Sequence, residues 1–157
     1  MKYQIDQSGK VEKTSKITIV AFSNGERGSV SLSSKDKKIL QNIFRKAGKV
    51  KMFSVQTFSV LVFILIKNFK LENKNIIIDR EYPGHENLIR SFVVQLSLKQ
   101  LKVKIDPSLI SFQVIGKSSK AHGIANKSFK SKKADFKVTF EEILALILIA
   151  TKKSGVS

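Results

Sequence analysis

Residues 75–79, Asn-Ile-Ile-Ile-Asp, constrain the fold of this chain more than any other stretch. A short, wholly apolar, β-branched run bounded by polar residues reads as a strand, and its side chains must be dry on both faces of the sheet. Both faces therefore need covering layers, which points to an α/β architecture. The residues that follow supply one such layer. Pro83-Gly84-His85-Glu86 opens a helix whose apolar residues Leu88, Ile89, Phe92, Val93 and Leu96 form one stripe, reaching about Gln100. Phe112 to Ile115 reads as the next strand, which makes a βαβ unit with parallel strands.

The first third of the chain reads differently. Lys2 to Asp6, Ile17 to Phe22 and Ser29 to Leu32 are strand-like, and Ser8-Gly9 and Ser23-Asn24-Gly25 are turn signals between them. An antiparallel meander is expected. Ser33 or Ser34 with Asp36 then opens an amphipathic helix carrying Ile39, Leu40, Ile43 and Phe44, ending at Gly48. Phe53 to Phe69 is apolar almost all round and long enough to favour a central helix over a strand. After the polar loop 116–120, a helix is expected from Ala121 to about Phe129, with Lys127 to Lys133 as a basic linker. Thr139 stands at capping-box spacing from Glu142 and starts a final helix over about 139–153.

At 157 residues and 42% hydrophobic content, residues 1–157 are expected to form one domain with its own core. The absence of cysteine excludes disulfides, thiolate zinc sites and catalytic thiols. Glycine-rich phosphate loops, zinc-protease helices and a serine nucleophile elbow are absent too. The opening Met1-Lys2-Tyr3-Gln4-Ile5-Asp6 lacks an apolar leader core, so an intracellular, cytoplasmic location is expected. The longest apolar run, Phe58 to Ile66, falls short of the roughly 20 residues of a membrane span, so it reads as buried.

Charge is the strongest functional clue. The 29 Lys and Arg against 12 Asp and Glu leave a formal charge of +17, which repels itself in a compact state unless a polyanion shares the field. Nucleic acid, DNA or RNA, is the expected partner. A Lys-rich surface kept for solubility and attraction to an anionic membrane are the other readings of the same charge.

Asp6 ends one expected strand and Asp79 another, each directly after an isoleucine. On adjacent parallel strands about 4.8 Å apart, two such carboxylates come within reach of one divalent cation. Strand C-terminal ends are also where open α/β sheets place ligands. Each has a plainer reading: Asp6 before Gln7-Ser8-Gly9 suits a turn, and Asp79 before Arg80 suits a surface ion pair.

With Ile5-Asp6-Gln7-Ser8-Gly9 on the first strand, Ile76-Ile77-Ile78-Asp79 on the fourth, and Ile115-Gly116 followed by His122 after the fifth, the chain resembles the ribonuclease H-like nuclease and resolvase superfamily. The resemblance covers most of the chain. It implies a mixed sheet of about five strands, an antiparallel meander followed by parallel strands, flanked by helices. It also implies metal-binding carboxylates at Asp6 and Asp79, a resolvase-like histidine at His122, and Asp135 as a candidate last acidic ligand. The implied chemistry is phosphodiester hydrolysis with Mg²⁺ or Mn²⁺, as in a Holliday-junction-resolvase-like endonuclease. Lys117, Lys120, Lys127 and Lys130 would line the approach of the substrate backbone, and a homodimer is compatible with this reading.

The chain departs from the pattern in two places. The helix after the third strand has no Glu, where ribonuclease H proper places one, and Ala125 stands where a resolvase offers an acid. Glu81 and Glu86 are both available as substitute ligands, with no spacing rule to choose between them. The competing classes are a non-catalytic basic nucleic-acid-binding module and a structural subunit that packs its apolar helices on a partner.

Overall fold

The turn signals of the first third close into a meander. β1 (Lys2–Ser8) pairs antiparallel with β2 (Thr18–Asn24), and β2 pairs antiparallel with β3 (Glu26–Leu32). Gly25, at φ +70°, makes the tight connection between β2 and β3, a conformation that costs glycine least. β4 (Asn75–Asp79) lies parallel beside β1, and β5 (Ile110–Gln113) parallel beside β4. The computed structural model describes residues 2–115, 120–131 and 133–152. Within them the chain forms an α/β fold on a six-stranded mixed sheet of order β5-β4-β1-β2-β3-β6.

The sixth strand corrects the expected count of about five. β6 (Phe136–Val138) adds in parallel to the free edge of β3. It is only three residues long and carries a lysine at its centre, too little pattern to read as a strand. Phe136, which sits among lysines, is nonetheless drawn to the sheet because its ring meets Phe69 edge-on at 5.6 Å. The fifth strand begins earlier than Phe112. Asp106 caps a short turn at Pro107–Leu109 and delivers the chain into the sheet at Ile110.

The helices are α1 (Ser34–Lys46), α2 (Phe53–Phe69), α3 (Glu86–Leu96), α4 (Lys120–Ser131) and α5 (Phe140–Thr151). Ser33 caps α1 by accepting the Asp36 N–H, and Thr139 with Glu142 forms the expected capping box on α5. The segment read as a basic linker is helical through Ser131, so Lys127 and Lys130 lie on α4.

Strand alternation divides the side chains into two layers. Ile5, Val20, Phe22, Val30 and Leu32 face a large core completed by α1, α2, α3 and α5. Ile19 and Ala21 face the other way, onto Ala125, Ile124 and Phe129 of α4. α2 is the centre of the large layer, buried along Val55–Ile66. Burying each of its Val, Leu, Ile and Phe side chains stabilises by about 1.5–3 kcal/mol, more than any surface pair offers. The helical stretch Val50–Phe69 is 20 residues long and apolar enough to cross a membrane, although 72% of its most apolar window is buried within the fold.

Candidate metal centre

The pairing register of β1 and β4 creates the site. Ile5 stands opposite Ile78, so Asp6 and Asp79 are the next residues along two adjacent parallel strands. Side chains alternate along a strand. Ile5 and Ile78 therefore enter the large core, while Asp6 and Asp79 emerge together on the face covered by α4.

The chain then turns sharply. The Glu81 N–H donates to the Asp79 carbonyl at 2.8 Å, which brings the Glu81 carboxylate back over the strand end. One carboxylate oxygen from each of Asp6, Asp79 and Glu81 falls within a common 4.8 Å. Opposite ligands of a small octahedral cation with bonds of about 2.1 Å are about 4.2 Å apart, so these three carboxylates can hold a metal ion after little adjustment.

Hydrogen bonds fix the aspartates. Asp6 is 2% exposed; its Oδ1 accepts the Gln7 N–H at 2.7 Å, and its Oδ2 lies 2.8 Å from His122 Nδ1. Asp79 Oδ1 accepts the Ile115 N–H at 2.8 Å. Burial is the main cause that raises the Asp6 pKa, opposed by the bonds from Gln7 and His122 and reinforced by Asp79. Glu81 is pushed up to about 8, by burial first and then by the hydrogen bond and charge of Asp79. Crowded, partly dehydrated carboxylates keep a proton when no cation is at hand, and a divalent cation takes the place of that proton.

α4 reaches Asp6 because its contact face is small. Ala121 and Ala125 are wholly buried, and Ala125 packs on Ile19 and Ala21. This explains the departure at position 125: the helix lies too close to the sheet there for a carboxylate. His122 is carried on the same helix, with its side chain 33% exposed.

Asp135 is not part of this group. Its Oδ2 accepts the Ser29 N–H at 2.9 Å, next to β6 on the far side of the sheet. Ser29 pairs with Ala21, and Ala21 with Asp6, so two strand spacings, about 10 Å, separate β3 from β1. Position along the chain suggested a late acidic ligand, but the parallel pairing of β6 with β3 sends Asp135 to the wrong edge. Between the two glutamates left open by the sequence, Glu81 joins the cluster. Glu86 instead accepts the Gly84 N–H and lies 3.6 Å from Arg80.

The expected backbone-contacting lysines separate. Lys117 lies outside the described residues. Lys120 and Lys127 line one depression with the β2–β3 hairpin, whereas Lys130 lines another beside Lys16 and Ser34. Arg27 of β3, which carried no motif signal, lies with the first pair. No protein-family model, curated protein or solved structure matches this chain.

Proposed function

We propose that this chain is a divalent-metal-dependent nuclease of ribonuclease H-like fold that hydrolyses phosphodiester bonds in DNA or RNA, with Mg²⁺ or Mn²⁺ held by Asp6, Asp79 and Glu81. The observation that carries the reading is the convergence of Asp6, two residues before the end of β1, Asp79, the last residue of the adjacent parallel β4, and Glu81 in the turn after it, in a chain with a formal charge of +17. An acidic pocket and a basic surface, opposite in charge, fit one ligand: a phosphate backbone, whose anionic oxygens meet the basic residues and, through a cation, the carboxylates.

In this reading Asp6, Asp79 and Glu81 would hold the cation, which would supply Lewis-acid polarisation of the phosphate and a more acidic water. Asp6 and Asp79 would position the cation from two paired strands, and His122 fixes the orientation of the Asp6 carboxylate. Water oxygen bonds to phosphorus, the bridging P–O bond breaks, and the leaving oxygen takes up a proton. A phosphomonoester and a hydroxyl result.

The test is cleavage of labelled linear DNA, RNA and four-way-junction substrates in Mg²⁺ or Mn²⁺. Asp6→Asn, Asp79→Asn and Glu81→Gln are each expected to lower turnover at least about 100-fold while the protein remains folded, as loss of an electrostatic catalytic group does. Full activity in a folded Asp79→Asn protein rejects the site. Salt-sensitive binding without turnover in any metal supports the binding-module reading, which the net charge favours by itself.

A further inference from the structure

Between the β2–β3 hairpin and α4 runs a groove made of two depressions of about 360 and 550 Å³ that share Arg27, Ile124 and Lys127 in their walls. Lys120 and Gly123 complete one end, and Lys133 with Asp135 the other. Each depression falls in the range of about 300–1,000 Å³ that suits a small organic group such as a nucleotide.

Cations outnumber anions in its walls, four to two, with Glu26 and Asp135 also exposed. Arg27, Lys120, Lys127 and Lys133 are exposed, and among the described residues no carboxylate lies within ion-pair distance of any of them. Of the carboxylates in the walls, Asp135 is occupied by the N–H and hydroxyl of Ser29, and Glu26 stands at the hairpin turn. Arg27 projects from a paired strand, so it is held more firmly than a lysine on a loop.

Gly123 adds a second, independent sign. A glycine inside a helix costs about 1 kcal/mol against alanine, and a Cβ added at Gly123 would meet nothing within 4 Å. Packing therefore does not require this glycine. Its missing side chain keeps the groove open. The neighbouring residue His122 touches Asp6 on the opposite flank of the helix, so groove and acidic cluster lie on the two sides of α4, about 10 Å apart.

We propose that this groove holds the sugar-phosphate backbone of one nucleic-acid strand, with Arg27 and Lys127 as its central phosphate contacts, and delivers that strand across the first turn of α4 to the acidic cluster. Only the delivery rests on the nuclease reading; the binding does not.

The experiment is fluorescence anisotropy of a short labelled oligonucleotide, single-stranded and duplex, titrated in chelator over a range of salt. The Arg27→Ala/Lys127→Ala protein should bind about tenfold more weakly, with the slope of log affinity against log salt reduced by about 1.5–2. A control pair on α1, Lys38→Ala/Lys46→Ala, should change both quantities less. Gly123→Leu, with its fold checked by circular dichroism, should weaken binding without removing charge. Equal effects of the two lysine-containing pairs, or unaltered binding by Gly123→Leu, overturn the groove. Groove-dependent binding without cleavage in any metal removes the nuclease reading and leaves the groove standing. Cleavage that continues while the groove variants bind normally does the reverse.

Discussion

His122 Nδ1 lies 2.8 Å from Oδ2 of Asp6, a carboxylate that is almost wholly buried. The bond opposes the effect of burial and lowers the Asp6 pKa. Removing it in His122→Ala raises that pKa further, so the carboxylate exchanges its proton for a cation less readily. The expected outcome is Mn²⁺ affinity about 10–100-fold weaker, the usual cost of losing a partner behind a metal ligand. The acid limb of any activity profile should move to higher pH. His122→Gln, whose amide can donate to Asp6, should recover part of the affinity. Calorimetric Mn²⁺ titration at several pH values measures both effects, and identical curves for wild type and His122→Ala contradict this role.

Glu81 gives the metal-free protein a pH dependence of definite sign. Its pKa rises from 4.5 to about 8 on folding, so between these values the folded state keeps a proton that the unfolded chain has released. This contribution to stability is fully present below about 4.5 and is lost as pH rises through about 8. Asp6, also raised, acts in the same direction. Glu81→Gln should flatten the decline. Denaturant unfolding in chelator across that window is the measurement, with a steeper decline in Glu81→Gln as the contrary result.

Cation binding should also appear as stability. At a Mn²⁺ concentration about 100 times the dissociation constant, the folded state gains about 2.7 kcal/mol, roughly 5–10 °C in Tm for a chain of this size. Asp79→Asn should abolish most of the gain. Asp135→Asn should leave it intact, because that carboxylate is engaged with Ser29. A lost Mn²⁺ shift in Asp135→Asn would return that residue to the metal site.

Local signals carried the parts of this fold that local chemistry controls. The triple isoleucine of β4, the Asn-Gly turn and the Thr139 capping box each specify their own geometry, and the meander and βαβ unit follow from them. Strand pairing is a long-range matter that local sequence does not encode. Nothing in Phe136–Val138 announces that β3 is its neighbour, and that pairing alone decides where Asp135 goes. Glu81 was visible only as one of two glutamates, because the choice depends on how tightly the chain turns after Asp79. Lys37 stands among charged residues in the first turn of α1. It is fully buried, and its ammonium donates to the Lys10 and Lys13 carbonyls and the Thr18 hydroxyl, pinning the β1–β2 loop. A lysine's partners on a loop more than 20 residues away leave no periodic trace.

The same loop sets the seat of α4. Gly9 has φ +73°, and a Cβ there would run into the Ile17 carbonyl and the Phe129 ring of α4. The carbonyl cannot retreat freely, because the adjacent Thr18 hydroxyl both donates to the Gly9 carbonyl and accepts from Lys37. Gly25 provides the comparison: its φ of +70° is nearly the same, but a Cβ there meets nothing within 4 Å. Gly25→Ala should therefore cost only the left-handed backbone strain of about 1–2 kcal/mol. Gly9→Ala carries that strain plus the collision and should lose at least about 3 kcal/mol, or roughly 6–12 °C in Tm. By pushing α4 off the sheet at Phe129, it should also loosen His122 at the other end of the helix, weakening Mn²⁺ binding where Gly25→Ala does not. Thermal melts with and without Mn²⁺ separate the two effects; equal losses in both variants would mean that Gly9 is a turn residue and nothing more.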